Sequence, residues 1–369
     1  MSHRRSRSAR QAFWWGLALF AASQVLFAWL TETALPQLRD PAYAVRVAEL
    51  HRRLKQARQE NDRTDVHVVV MLGSSRTANA LRGGELERTL SNDLGQPVLV
   101  QNLGVPGAGP IHELLYFGRL LRDGIRPDLL LIEVLPVFLD RSYANNASWL
   151  PAESLGRDDL AILRGYDLAH MELEHDWRRG MLLPAHTRRG TIGEEITAAL
   201  WPTYRQRPWV HRCDASGWLP QPTEKFSEEA RRQARERARG EYADRLQHFQ
   251  IGGPGCTALR RLVAECRRER IPAALVLMPE GEVFQSWYPP EAWKAIERFV
   301  AEVAAGELPV INARDWLRDD DLYDSHHPLN RGAAAFSARL GREAILPRLR
   351  NDGAVTSWSE LHQTTTYCN

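Results

Sequence analysis

Two short segments far apart in the sequence carry residues that could act together as a serine nucleophile and its base. The first is Gly73-Ser74-Ser75-Arg76-Thr77, and the second is Asp324-Ser325-His326-His327-Pro328. A serine hydroxyl attacks a carbonyl carbon when a histidine accepts its proton, and a carboxylate on the second imidazole nitrogen fixes the tautomer of that histidine. Asp324 and His327 are three residues apart, so a turn would let the carboxylate reach the ring.

Each segment also has a plainer interpretation. Gly-Ser-Ser is common in loops, where Ser74 or Ser75 would cap a helix by accepting a bond from a backbone N–H. Asp324, His326 and His327 could instead ligate a metal ion, but the sequence offers no second His/Asp pair at comparable spacing. We therefore expect neither a metal ion nor another cofactor at this site.

Short apolar runs that alternate with helical stretches would position both segments. The runs are continuously apolar, which is typical of strands buried on both faces of a parallel sheet. They cover residues 66–72, 97–101, 129–135, 273–278 and 309–312, and helices are expected at 78–90, 111–122, 257–268, 290–303 and 331–346. This order predicts a doubly wound α/β fold with a five-stranded parallel sheet, whose carboxyl edge is where such folds bind ligands.

A long insertion, residues 141–249, interrupts the alternation between the third and fourth predicted strands. It contains five tryptophans among many Pro and Arg residues, followed by a charged helical stretch. The insertion either packs on the sheet as a cap or shapes a substrate cleft with aromatic rings that could stack on sugars. The α/β domain would then span residues 65–348 and leave 349–369 as a C-terminal tail.

The N-terminal segment differs from the rest of the chain. Four arginines within residues 2–10 precede an apolar run from Phe13 to Leu30, which is long enough to cross a bilayer core about 30 Å thick. Residues 1–32 are therefore predicted to be a cytoplasmic tail and an uncleaved transmembrane anchor, with a cleaved signal peptide as the alternative. Residues 33–64 would form a helical stalk that lifts an exported, periplasmic domain off a bacterial inner membrane.

The overall composition agrees with a globular exported domain. Of the 369 residues, 44% are hydrophobic and 25% are charged, values that exclude a disordered or fibrous chain. The 48 basic and 46 acidic residues give a formal charge of +2, so we expect no nucleic-acid partner. The four cysteines lack a C-x-x-C pair and zinc-ligand spacing, and export would permit one disulfide without indicating the pair.

Taken together, the two segments resemble motifs of the GDSL/SGNH hydrolase family. The segment 73–77 is similar to the family's G-D-S-x-T block, with Ser74 in place of the Asp, which implies that Ser75 is the nucleophile. The segment 324–332 is similar to the D-x-x-H block, which implies that Asp324 and His327 occupy the other catalytic places. The loop 102–109 is similar to the block whose Gly N–H joins the oxyanion hole; the best match is Gly107, and the other donor would be the Ser75 N–H.

One block departs from the family pattern. After the third strand the family has G-x-N-D, whose Asn donates to the oxyanion, whereas this chain has Val137 near the Asn position. Loss of one oxyanion donor costs about 2.7–4 kcal/mol of transition-state stabilisation, so a substitute is needed or activity is low. Asn145 and Asn146 are the candidates for that substitute.

The resemblance implies a membrane-anchored SGNH-type serine esterase or O-acyltransferase. Membrane-anchored relatives that lack the Asn include proteins that act in O-acetylation of exopolysaccharides and in D-alanylation of teichoic acids, and this chain looks more like that branch than like secreted lipases. The implied substrates are acyl esters, acetyl above all, of a cell-envelope polysaccharide or another acylated small molecule. The alternative is a catalytically inactive SGNH-like envelope protein that binds a glycan or an assembly partner.

Further polar residues could contribute at the same edge of the sheet. Arg76 could bind a carboxylate or polyanionic glycan of the substrate, or it could form a surface ion pair. Glu133 ends a buried strand and could pair with an arginine. Glu280 and Glu282 close the fourth strand and could touch substrate or lie in a solvated loop.

Overall fold

The computed structural model of the chain describes residues 2–60, 65–142, 150–165, 168, 171–201 and 208–350. The proposed substitute donors Asn145 and Asn146, and residues 351–369 of the predicted tail, lie outside the described residues. The chain divides into two compact units, one comprising residues 1–45 and 150–211 and the other residues 46–149 and 212–369.

The larger unit is built on a five-stranded parallel sheet in the order β2-β1-β3-β4-β5. The strands are β1 (His67–Leu72), β2 (Val98–Asn102), β3 (Leu129–Glu133), β4 (Ala273–Leu277) and β5 (Val310–Asn312). Every residue of β2, β3 and β4 is buried, as their unbroken apolar sequences require. The predicted α/β fold with a five-stranded parallel sheet is confirmed, and both ends of each strand lie close to the predicted bounds.

Helices connect these strands and form the smaller unit. In chain order they are α1 (Ser2–Thr33), α2 (Pro41–Glu60), α3 (Ser75–Ala80), α4 (Gly83–Leu94), α5 (Pro110–Arg122), α6 (Arg157–Gly165), α7 (Met171–Leu182), α8 (Pro184–Thr187), α9 (Arg189–Leu200), α10 (Glu228–Gln247), α11 (Gly253–Glu269), α12 (Glu282–Gln285), α13 (Pro290–Ala304), α14 (Asn330–Leu340) and α15 (Leu346–Leu349). The single helix expected at 78–90 is wrong: Leu81 is extended and the Arg82 N–H donates to Ser337 Oγ (2.8 Å), so α3 and α4 are separate.

One face of the sheet packs against α4 and α14. Its strands contribute side chains such as Met71 and Val276, and the helices contribute Leu86 from α4 and Phe336 from α14 to the same buried cluster. This packing fixes the beginning of α14 at the carboxyl edge of the sheet, beside α3. The two segments that carry the candidate chemistry are therefore brought to one place by the apolar core.

The described part of α2 from residue 46 onward does not form a solvated stalk. Val47 and Leu50 are 5% and 0% exposed, and they lie on one face because they are about one turn apart. Arg46 Nη1 donates to the carbonyls of Asn102 (3.2 Å) and Gly104 (2.8 Å), just after β2. This part of α2 thus belongs to the α/β unit, which differs from the stalk predicted for residues 33–64.

The smaller unit combines the N-terminal helix with residues 150–211. Within α1, the apolar segment Ala9–Thr33 has a mean hydropathy of 1.5 and is long enough to cross a membrane, and Trp14 and Trp15 on it are 64% and 70% exposed. Near its end, Glu32 accepts a hydrogen bond from Arg39 Nη1 (2.8 Å). Of the predicted insertion 141–249, residues 150–211 group with the N-terminal helix and residues 212–249 group with the sheet.

Candidate active site

Ser75 is the first residue of α3, in the turn that follows β1. Ser74 caps this helix: its Oγ accepts a hydrogen bond from the Arg76 N–H (3.1 Å), and its backbone is extended. Ser74 O accepts from the Ala78 N–H (3.0 Å), which starts the helical hydrogen bonding. Ser75 is half-buried, so its hydroxyl lies at the carboxyl edge of the sheet.

His327, 252 residues further along the chain than Ser75, links this serine to Asp324. Its Nε2 lies 2.7 Å from Ser75 Oγ, and its Nδ1 lies 2.8 Å from Asp324 Oδ2. The second oxygen, Asp324 Oδ1, accepts from the His327 backbone N–H (2.9 Å). Burial alone would raise the pKa of Asp324, but the interactions with His327 and His326 hold that pKa well below its usual range. The aspartate is therefore ionised at neutral pH, and the structure brings the three residues together in one hydrogen-bonded chain.

The loop between Asp324 and His327 has an unusual backbone conformation. Ser325 adopts a left-handed conformation with φ of +69°, although it is not a glycine, and its carbonyl accepts from the Gly281 N–H (2.8 Å). This turn lets the His326 N–H donate to Asp324 Oδ1 as well (3.2 Å). Such strained residues persist where the surroundings fix them, as they do at functional sites.

His326 is 3% exposed and packs against two aromatic rings. The ring centroids of Tyr242 and Phe284 lie 5.2 and 5.0 Å from its own. Burial lowers the pKa of His326 well below its usual value, so this imidazole is neutral. The sequence had offered a metal ligand only as an alternative role for this residue.

The donor atoms of Asp324, His326 and His327 lie within 4.8 Å of one another, which is close enough for a metal site. However, both ring nitrogens of His327 are already hydrogen-bonded, one to Asp324 and one to Ser75. A metal ion bound to His327 would have to break one of these bonds. The arrangement therefore fits a serine nucleophile better than a metal centre.

Glu133, at the end of β3, contacts the turn that carries Ser75. Its Oε2 accepts from the Ser74 N–H (2.6 Å) and from Thr77 Oγ1 (2.7 Å), and its Oε1 accepts from Ser74 Oγ (2.8 Å). It is 1% exposed. The partner expected from the sequence was an arginine, and the structure has backbone and hydroxyl donors in its place.

Arg76 and Glu280 form a buried ion pair. From the sequence, each of them was expected either to contact substrate or to lie at the surface. Arg76 Nη1 lies 2.8 Å from Glu280 Oε1, and the two side chains are 3% and 1% exposed. Tyr288 Oη donates to the same oxygen (2.9 Å), and Arg314 Nε lies 2.8 Å from Glu280 Oε2. Burial would raise the pKa of Glu280, but the two guanidinium groups hold it below its usual range. Glu282, by contrast, is exposed.

The loop that follows β2 lies along the same turn. The Gly104 N–H donates to Asn102 Oδ1 (2.9 Å), and the Val105 N–H donates to the Gly73 carbonyl (2.9 Å). Val105 O then accepts from the Ala108 N–H (2.9 Å), with Pro106 and Gly107 between them. The φ of Gly107 is +78°, so this is a type II turn with Pro and Gly in the positions that it favours.

Val137 stands near the position where the family pattern has an oxyanion-binding Asn. It lies in a short 3₁₀ turn, Pro136–Leu139, and is 1% exposed. A valine side chain has no hydrogen-bond donor. The two backbone N–H groups that the sequence predicts as oxyanion donors, those of Ser75 and Gly107, both belong to residues that the structure describes.

No protein-family model and no curated protein matches the chain. Among solved structures it is similar to a mutant of an acetyl-xylooligosaccharide esterase from Geobacillus stearmophilus, at 11% sequence identity and a TM-score of 0.33. The alignment covers 75% of this chain and 93% of that one.

Proposed function

We propose that this protein is an SGNH-type serine esterase or O-acyltransferase with Ser75 as the nucleophile. The observation that carries the proposal is the hydrogen-bonded chain Ser75–His327–Asp324, with 2.7 Å between Ser75 Oγ and His327 Nε2 and 2.8 Å between His327 Nδ1 and Asp324 Oδ2. Nucleophile, base and orienting carboxylate are each within hydrogen-bond reach, which is the geometry that acyl transfer through a serine requires.

In the first half of the reaction, Ser75 Oγ attacks the carbonyl carbon of the ester while His327 Nε2 takes the hydroxyl proton. Asp324 holds the other nitrogen in its N–H form and stabilises the imidazolium that results. The tetrahedral intermediate then expels the alcohol oxygen, which takes the proton from His327. The acyl group is left as an ester on Ser75.

Two backbone N–H groups are the proposed donors to the negatively charged oxygen of the intermediate. The Ser75 N–H is in the first turn of α3, where N–H groups have no partner within the helix. In the described loop 103–108, every backbone N–H except that of Gly107 donates a hydrogen bond within the protein. Two such donors can support acyl transfer even though Val137 supplies none.

In the second half, an acceptor hydroxyl attacks the acyl-enzyme with His327 as the base. Water as the acceptor makes the protein an esterase, and a sugar hydroxyl makes it a transferase. We propose acyl esters of an extracytoplasmic glycan, acetyl above all, as the substrate class. We propose that the apolar segment Ala9–Thr33, which is long enough to cross a membrane, anchors the protein in a bacterial inner membrane. The N-terminus would lie in the cytoplasm and the α/β unit in the periplasm.

The test uses the full chain in detergent with a fluorophosphonate probe and an aryl acetate. Wild-type protein should be labelled and should turn over the ester, whereas Ser75→Ala and His327→Ala should do neither. Ser286→Ala is the matched control, because Ser286 is exposed and bonds the Val283 carbonyl within its own turn. Equal turnover by wild type and Ser75→Ala would refute the proposed function.

The buried Val137 favours a second candidate, a non-catalytic protein that binds a glycan or an assembly partner with the same fold. Binding, unlike acyl transfer, requires no oxyanion donor, so the absence of a donor at this position would not weaken it. The same probe separates the two candidates. Absence of label on wild-type Ser75, in folded protein, would support the binding protein.

A further inference from the structure

A buried carboxylate holds the turn that carries the proposed nucleophile. Glu133 accepts three hydrogen bonds, from the Ser74 N–H, from Ser74 Oγ and from Thr77 Oγ1, at 2.6, 2.8 and 2.7 Å. We propose that Glu133 is a positioning residue that fixes Ser75 and its backbone N–H for acyl transfer. The proposal rests on the proposed function for its kinetic consequence only.

These contacts fix Ser74 on every side. Its N–H and Oγ donate to Glu133, its Oγ also accepts from the Arg76 N–H, and its carbonyl accepts from the Ala78 N–H. The next N–H in the chain, that of Ser75, is trans to the Ser74 carbonyl across a planar peptide. Because that carbonyl points into α3, the Ser75 N–H points away from the helix, where an oxyanion would bind.

The neighbouring strands provide the space for this carboxylate. Leu72 of β1 is paired with Ile132 of β3, so the residues that follow them, Gly73 and Glu133, lie side by side. A Cβ on residue 73 would come 2.7 Å from Glu133 Cβ and closer still to a carboxylate oxygen. The glycine that follows β1 therefore makes the space that the glutamate at the end of β3 occupies.

Removal of the carboxylate would leave a backbone donor without a partner. The hydroxyls of Ser74 and Thr77 can rotate to other acceptors, but the Ser74 N–H is fixed by the chain and Ser74 is 2% exposed. A buried donor without an acceptor is unfavourable, so the turn would shift to find one. A shift of about 1 Å at a reacting atom can cost about 100-fold in rate.

The experiment moves the carboxylate from residue 133 to residue 74 in the full-length protein. Ser74 Oγ lies 2.8 Å from Glu133 Oε1, so an aspartate at 74 would reach the volume that Glu133→Ala vacates. We expect Glu133→Ala to lower kcat on an aryl acetate about 100-fold, with KM within threefold. Ser74→Asp alone should also be impaired, because two adjacent buried carboxylates repel.

The double variant decides the matter. Ser74→Asp with Glu133→Ala should regain at least about tenfold in kcat over Glu133→Ala, a rescue that a mere loss of packing would not give. Glu241→Ala, on an exposed side chain of α10, is the control and should match wild type. Wild-type kcat in Glu133→Ala, or a double variant no better than either single one, would overturn the proposal.

Unfolding measurements keep the proposal testable if Glu133→Ala does not fold or if the wild type has no activity. A double-mutant cycle of Ser74→Ala and Glu133→Gln should show coupling of at least about tenfold in the unfolding equilibrium constant. Coupling below threefold would overturn the role of Glu133. Unlabelled wild-type Ser75 with strong coupling would refute the proposed function and leave the contact between Glu133 and the turn supported.

Discussion

Substitution of Gly104 by alanine tests how closely the loop after β2 approaches the turn that carries Ser75. A Cβ at residue 104 would lie 2.7 Å from Ser74 O and closer still to the Ala78 N–H. Those two atoms form the first hydrogen bond of α3, at 3.0 Å. Both belong to the backbone, so no side chain can rotate away. The loop and the turn must therefore separate until the contacts exceed 3.0 Å.

The expected cost follows from this overlap. Overpacking in a close-packed interior destabilises by about 1–3 kcal/mol, and displacement of the turn should lower the rate of Ser75 labelling by about 10- to 100-fold. Equilibrium unfolding by urea gives the first quantity, and the time course of fluorophosphonate labelling gives the second. The slope of the urea transition should stay unchanged if only the native state is affected.

Gly84→Ala is the matched control. No atom lies within 4 Å of a Cβ built at residue 84, which is in the first turn of α4. Because alanine favours a helix over glycine, this variant should be equal to wild type or up to about 0.5–1 kcal/mol more stable. If Gly104→Ala unfolds at the wild-type urea concentration and is labelled at the wild-type rate, the close approach inferred for the loop is wrong.

Three further substitutions have defined outcomes. Asp324→Asn should lower kcat by about 10³- to 10⁴-fold, because the amide no longer holds the right tautomer of His327; steady-state kinetics measure this loss. His326→Phe should remove a loss of stability below about pH 6.5, which amounts to about 1.4 kcal/mol per pH unit for one proton; unfolding at pH 5 and pH 7 measures it. Glu280→Gln should destabilise by about 3–5 kcal/mol, because two buried guanidinium groups lose their counter-charge; Glu241→Gln, on an exposed side chain, is its control in the same unfolding assay.

The two pH effects have the same sign but fall in different pH ranges. The pKa of His326 is lowered by folding, so below about pH 6.5 the unfolded chain binds a proton that the folded chain does not, and stability falls. The pKa of Asp324 is also lowered, so its contribution is present above its unfolded value of about 3.9 and is lost as the pH falls further. A His326→Phe protein with the wild-type slope between pH 7 and pH 5 would contradict the assignment of a neutral buried imidazole.

Much of the fold could be predicted because continuous apolar runs have few alternatives. The strands β1 to β5 are such runs, and in a parallel sheet they must be buried on both faces. The break between α3 and α4 could not be predicted, since it depends on Ser337, which caps the Arg82 N–H from a distant helix. The burial of one face of α2 depends on tertiary structure for a similar reason, since only the folded unit offers a surface that covers Val47 and Leu50.

The parts of the candidate site that depend on local spacing could be predicted from the sequence. The parts that depend on contacts between distant, buried residues could not. Asp324 and His327, three residues apart, needed only a turn to meet. Arg76 and Glu280 are 204 residues apart, and nothing in their local sequence distinguishes a buried ion pair from two surface charges. The sequence shows that Glu133 ends an otherwise apolar strand, which marks it as unusual. That position does not indicate its hydrogen-bond partners.

The sequence by itself determined the α/β class, the apolar N-terminal segment and the residue types of the candidate nucleophile and base, because periodicity and local spacing are properties of the chain. Tertiary structure alone decided which side chains meet. It brought Ser75 to His327, buried Arg76 against Glu280, and set Glu133 beneath three donors from the turn. The physical reason is that the strength and partner of a polar group depend on burial and on neighbours from other strands, which are fixed only when the sheet and its helices pack.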